Sequence, residues 1–178
     1  GHNFWTDPAM RAEFIEVWKF IANRYKDTPY IGMYELLPEP NPTGVSNADI
    51  RQFYSELITA IHEVDPRTPL LVGAGPSYTI KKASAEGYIQ TDVPLIYTGN
   101  LFVFTGKSQE ENIANLRERL QSLLDLRTKY NVPIFVQQTG SESGEDPNRV
   151  YAAAVLSLLN QNNVGWTWWT YKQHNQND

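Results

Sequence analysis

The chain has 178 residues, 41% hydrophobic and 20% charged, with net charge −5 and a pI near 5.2. That is enough chain for one domain with a real core, and its acidity argues against a nucleic-acid or anionic-membrane partner. With no cysteine there is no disulfide framework and no thiolate metal site, and the three histidines are too scattered for a His-based one. No run of about eighteen apolar residues spans a membrane. Gly1-His2 has the look of a cloning remnant, which leaves the compartment open and is compatible with a secreted or periplasmic protein whose leader has been removed. Aromatic content is 12%, with five Trp and ten Tyr, which suits either a large aromatic core or stacking platforms.

Asp7-Pro8 predicts a helix start, with Asp as cap and Pro at the first helical position. Phe14, Ile15, Val17, Trp18, Ile21, Ala22 and Tyr25 follow at helical spacing, and Lys26 to Pro29 ends the helix. Tyr30 to Leu37 reads as a strand, stopped by Pro38 and Pro40 with Glu39 held between them. Alternation puts Ile31, Met33, Glu35, Leu37 and Glu39 on one face, with Glu35 a layer deeper than Glu39. In parallel α/β folds the carboxyl end of a strand is where chemistry is done.

Ser46 or Asn47 caps a second helix to about Glu63, with Ile50, Phe53, Tyr54, Leu57, Ile58 and Ile61 as its apolar face. A short strand follows at Leu70 to Ala74. Residues 75 to 93 are a long excursion with a short helix over Ile80 to Gly87. A strand runs from Pro94 irregularly to Phe104. Ser108 and Glu111 form a capping box for a long helix to Tyr130. Val132 to Gln138 is a strand, Thr139 to Pro147 a polar loop, Asn148 to Gln161 a helix and Val164 to Tyr171 the last strand. The polar tail, Gln173 to Asp178, is expected to fray.

Strand and helix alternate, the connections are long enough for right-handed crossovers, and the strands are largely apolar. The pattern predicts an α/β fold, about five parallel strands with covering helices, in one domain over residues 1–178. No glycine-rich phosphate loop follows any strand, so a nucleotide-binding doubly wound fold is disfavoured and no cofactor is expected.

Several motifs in this order and spacing carry a resemblance: Tyr34-Glu35-Leu36-x2-Glu39-Pro40, Asp65-Pro66-Arg67-Thr68-Pro69, Val132-Pro133-Ile134-Phe135-Val136, and Gly165-Trp166-Thr167-Trp168-Trp169. From Phe14 to Lys172 the chain resembles the carboxyl-terminal part of a glycoside hydrolase family 5 catalytic domain, the cellulase and mannanase group of (β/α)8-barrel hydrolases. The resemblance implies a partial TIM-type barrel corresponding to strands four to eight. A full barrel has eight strands and about 250 residues. Either a missing amino-terminal half or a homodimer would then cover the open sheet edges.

The resemblance also implies a site. The family's acid/base glutamate lies in an Asn-Glu-Pro motif at the end of the fourth strand, matched here by Pro38-Glu39-Pro40. Its nucleophile ends the seventh strand in a pattern like Val-Gly-Glu-Phe-Gly, and Gln138 stands at that position. The family's His-x-Tyr aligns with Asn100-Leu101-Phe102, and Trp169 with the tryptophan that floors the central sugar subsite. Trp168 is a further sugar-contact candidate. Glu142 and Glu145, just past the Val132 strand, are alternative bases or plain solvated charges. A retaining mechanism needs two carboxyl groups about 5 Å apart, so it is not expected here.

The implied partner is an oligo- or polysaccharide, a β-1,4-linked glucan or mannan, hydrolysed with impaired or altered catalysis. A non-catalytic carbohydrate-binding module and a self-associating structural fragment are the alternatives.

Overall fold

The computed structural model describes residues 4–38, 40, 42, 44–73, 87–102, 108–140 and 149–169. Among them, four α-helices are separated by strands: α1 (Pro8–Tyr25), β1 (Tyr34–Glu35), α2 (Asn47–Val64), β2 (Leu70–Gly73), β3 (Leu95–Phe102), α3 (Gln109–Tyr130), β4 (Ile134–Gly140), α4 (Val150–Gln161) and β5 (Gly165–Trp168). The helices start where local chemistry says they should. Asp7 accepts from the backbone amides of Ala9 and Met10 at 2.9 and 3.3 Å, and Ser46–Asp49 and Ser108–Glu111 are reciprocal capping boxes. Only α4 lacks a side-chain cap, and it follows Arg149 in the left-handed region.

The strands form one parallel sheet in the order β1-β2-β3-β4-β5, curled into part of a (β/α) barrel. All four pairings are parallel and sequential, and α2, α3 and α4 connect β1 to β2, β3 to β4 and β4 to β5. Two strands are offset from expectation. β1 pairs only through Tyr34 and Glu35, and the Leu36 amide still donates to the Leu71 carbonyl at 3.1 Å before Pro38. β4 starts at Ile134, because Asn131 is left-handed and the Val132 amide returns to the Arg127 carbonyl to close α3. At its other end β4 takes in Thr139 and Gly140, which sequence reading assigned to a loop.

The helix-covered face holds the core. Tyr34 and Leu36, Leu70 and Val72, Leu95 and Tyr97, Ile134 and Val136 all project into it. α2 meets them with Phe53, Leu57, Ile58 and Ile61, all fully buried. Burying a side chain of this size contributes about 1.5–3 kcal/mol. Phe4, Trp5, Phe14 and Phe53 meet mostly edge to face, closing the α1–α2 end. Tyr88 stacks on Tyr130 at 3.9 Å, while the buried Tyr97 hydroxyl bonds both backbone groups of Ile89.

At the amino end of the strands, Asp65 is 1% exposed and takes four hydrogen bonds: from the Tyr34 and Thr68 hydroxyls at 3.0 and 2.6 Å, and from the Arg67 and Thr68 amides at 3.1 and 3.2 Å. Burial pushes its carboxyl up. The Thr68 hydroxyl, the two amides and the Tyr34 hydroxyl together outweigh that and hold it below the ordinary carboxylate value.

Candidate functional site

The carboxyl ends of β3, β4 and β5 converge on one polar cluster. Its origin is an extra residue in β4. Between β3 and β4 the register runs Thr98↔Phe135 and then Asn100↔Gln138; between β4 and β5 it runs Val136↔Trp166 and then Thr139↔Trp168. Against both neighbours β4 spends one more residue, so Gln137–Gln138 is a bulge. A bulge re-aims side chains and leaves backbone groups without ladder partners. Here both groups of Gln137 are satisfied by threonines: its amide donates to Thr98 Oγ1 at 3.2 Å, and its carbonyl accepts from Thr167 Oγ1. Thr98 belongs to β3 and Thr167 to β5, so the bulge is clasped from both sides.

The bulge inverts the alternation of β4. Before it, Ile134 and Val136 face the helices. After it, Thr139 does: it is 0% exposed, its register partner Leu101 lies in the core, and its hydroxyl donates to the Leu101 carbonyl at 2.7 Å. Gln138 therefore turns to the concave face together with Gln137. Asn100, 5% exposed, sits across from them: its Nδ2 donates to Gln138 Oε1 at 3.2 Å, and its Oδ1 accepts from Gln137 Nε2 at 2.8 Å.

Gly140 ends β4. A Cβ there would lie 2.2 Å from the Trp169 carbonyl oxygen and 3.6 Å from the Phe102 ring. Only glycine lets the β5 backbone come this close, and the Trp169 amide accordingly donates to the Thr139 carbonyl at 2.8 Å. Trp169 is thereby fixed at the rim beside Phe102 with 60% of its surface exposed. On the other side, Arg119 of α3 donates through Nη2 to the Phe102 carbonyl, tying the end of β3 to the helix layer. Burial pulls its guanidinium down to about 10.

Of the residues singled out from sequence, Asn100, Phe102, Gln138 and Trp169 are thus brought to one end of the sheet. Trp168 is not. It alternates with Trp169, shares the helix-covered face with Trp166 and packs, half-buried, against the core. Glu39, Glu142 and Glu145 lie outside the described residues, as do Tyr171, the Gln173 to Asp178 tail and the proposed short helix from Ile80 as far as Glu86. The shared face expected for Ile31, Glu35 and Leu37 does not hold along the whole segment, because Ile31 and Leu37 pack against the core. The register partner of Glu35 is Leu71, which faces away from the core cluster, so Glu35 looks into the concave side. Burial raises the Tyr54 phenol, and the Glu35 charge adds to the rise.

Gln137, Thr98, Thr167 and Gly140 were missed. Two consecutive polar residues inside an otherwise apolar strand were the available signal, since strict alternation can bury only one of them.

Among the described residues no three His, Cys, Asp or Glu side chains converge as metal ligands, and no helix is long and apolar enough to cross a membrane. A concavity of about 340 Å³ bordered by Lys26, Ile31 and Pro69 and by the Arg67–Asp27 ion pair opens at the amino ends of β1 and β2, the opposite end of the sheet. Chemistry in parallel α/β sheets sits at the carboxyl ends.

A family model for cellulases, glycosyl hydrolase family 5, matches residues 3–175. The chain belongs to glycosyl hydrolase family 5. This family 5 chain is 27% identical over 157 residues to Endoglucanase E-5 of Thermobifida fusca, covering 85% of the chain and 31% of that protein. It is 29% identical over 157 residues to Endoglucanase MaCel5A of Microbulbifer sp. (strain ALW1), covering 85% and 29%. Among solved structures it is similar to endoglucanase Cel5A from Thermotoga maritima, with a TM-score of 0.82 at 18% identity, covering 96% of the chain and 62% of that one. It is also similar to the cellulose synthase subunit Z from Clostridioides difficile, with a TM-score of 0.80 at 20% identity, covering 96% and 64%. These structural likenesses establish the partial barrel. The family 5 chain spans under a third of the two curated relatives and under two thirds of the two solved ones.

Proposed function

We propose that this family 5 chain carries the carboxyl-terminal part of a β-1,4-glucan or mannan site in which retaining hydrolysis is blocked at one carboxylate position. In this reading Glu39 is the general acid/base and Gln138 stands where the nucleophile would. Asn100 and Phe102 border the sugar, and Trp169 offers its indole face to the ring. The supporting observation is the Gln138 carboxamide on the concave face, bonded to Asn100 at 3.2 Å. No residue of β3, β4 or β5 carries a carboxylate. A retaining glycosidase needs its second carboxylate to attack the anomeric carbon and form a glycosyl ester. A carboxamide is neutral and does not form that ester.

The exposed Trp169 beside Phe102 and Gly140 favours a second reading in which the chain is a carbohydrate-binding module without chemistry. One experiment separates the two. Cello- and manno-oligosaccharides are titrated by calorimetry, and release from an aryl β-cellobioside is followed for the native chain, Gln138→Glu and Glu39→Gln. The expected result is binding without release above buffer in the native chain, and release in Gln138→Glu that disappears when Glu39→Gln is added. Native turnover abolished by Glu39→Gln would overturn the block. An inert Gln138→Glu with binding intact would favour the module. No binding of either sugar would end both readings. The same reading has β1 and β5 pairing with a further segment or a second copy, which a solution mass measurement tests.

A further inference from the structure

The bulge gives the concave face a direction as well as a shape. Gln137 Nε2 donates to Asn100 Oδ1 at 2.8 Å, and Asn100 Nδ2 donates to Gln138 Oε1 at 3.2 Å. The three carboxamides run head to tail. The relay uses the oxygen of Gln138 and neither proton of its Nε2. A carboxylate in the same place could only accept. The start of the relay is anchored, because the Gln137 backbone is clasped by Thr98 on one side and Thr167 on the other.

We infer that Gln137 is a positioning residue: by fixing Asn100 it turns Gln138 so that the concave face offers a hydrogen-bond donor. The site then selects a sugar oxygen that accepts, where a carboxylate would select a hydroxyl that donates. The choice of a sugar as ligand rests on the oligosaccharide reading above. The relay itself does not.

Gln137→Glu tests it. Its carboxylate accepts but cannot donate, which favours Asn100 turning Nδ2 toward it and presenting Oδ1 to Gln138. Gln138 then turns Nε2 inward and shows its oxygen to the ligand. Asn100→Asp forces the same reversal at Gln138 by accepting from both glutamines, and serves if the first variant does not fold.

The first readout needs no ligand. Side-chain amide proton exchange by NMR is expected to show slow exchange at Gln137 and Asn100 and fast exchange at Gln138 in the native chain. Slow exchange at Gln138 is expected in either variant above the carboxylate pKa. The second readout is calorimetry with cello-oligosaccharides in which single hydroxyls are replaced by fluorine, which cannot donate, or by hydrogen, which can do neither. At one ring position the fluoro analogue is expected to bind the native chain about fivefold tighter than the deoxy one, and the variants to lose that preference. Slow exchange at Gln138 in the native chain, or the same fluoro preference in native and variant chains, overturns the inference. If no oligosaccharide binds, the sugar reading fails and the exchange pattern alone decides the relay.

Discussion

The two ends of the sheet handle buried polarity in opposite ways. At the amino end a charged carboxylate, Asp65, is closed in by four fixed donors. At the carboxyl end three neutral amides are linked by two hydrogen bonds. Burying a charge is costly unless every lone pair is engaged, and then removing it leaves several donors stranded. Neutral amides cost less to bury and less to rearrange. The contrast assigns stability to the Asp65 end and leaves the Gln138 end free to change its partners.

The largest expected effect is therefore Asp65→Ala, which strands two hydroxyls and two amides. A loss of about 3–5 kcal/mol is expected in urea unfolding. A loss below about 1 kcal/mol would remove the contrast. Next comes Gly140→Ala. Its new methyl meets the Trp169 carbonyl, a backbone atom that cannot swing aside. Overpacking of this kind costs about 1–3 kcal/mol. It is expected to displace Trp169, so near-ultraviolet circular dichroism should change along with the unfolding midpoint.

The two ends also differ in how stability follows pH. The folded pKa of Asp65 lies below its unfolded value, so its stabilisation is complete above about pH 4 and is lost as pH falls through the folded value. Asp65→Asn is expected to flatten the acid limb of the stability curve. Burial pushes Tyr97 the other way in pH, up to about 12. Its stabilisation is complete below about pH 10 and is lost as pH rises toward the folded value, and Tyr97→Phe should flatten the alkaline limb. The amide cluster contributes no slope of its own.

The smallest expected effect is Tyr54→Phe. The Tyr54 hydroxyl is buried with no hydrogen-bond partner among the described residues. Removing it should leave stability unchanged or raise it by up to about 1 kcal/mol. A marked loss would reveal a partner there.

Helix starts were legible in the sequence because a cap is local: Asp7, Ser46 and Ser108 each bond an amide two or three residues away. The parallel sheet was legible because apolar strands alternated with amphipathic helices. Strand ends were less so, since pairing depends on residues far off in the chain. Tyr30 to Leu37 looked extended throughout, yet pairs only through Tyr34 and Glu35. The bulge was invisible for the same reason. Whether Gln137 or Gln138 faces inward depends on Thr98 and Thr167, each about thirty to forty residues away in sequence. Alternation without a bulge separates the two glutamines. Sequence therefore marked Asn100, Phe102, Gln138 and Trp169, and passed over the residues that hold them.

The position of Trp169 has an optical consequence. Trp5 is buried, Trp18, Trp166 and Trp168 are half-buried, and Trp169 alone among the five is mostly exposed. Four indoles should emit from dry or mixed surroundings while Trp169 emits from water. Acrylamide should reach it first, and anything that settles on its ring should shift and shield that one red-edge component. The chain thus carries its own fluorescent gauge at the carboxyl end of the sheet, readable without a label.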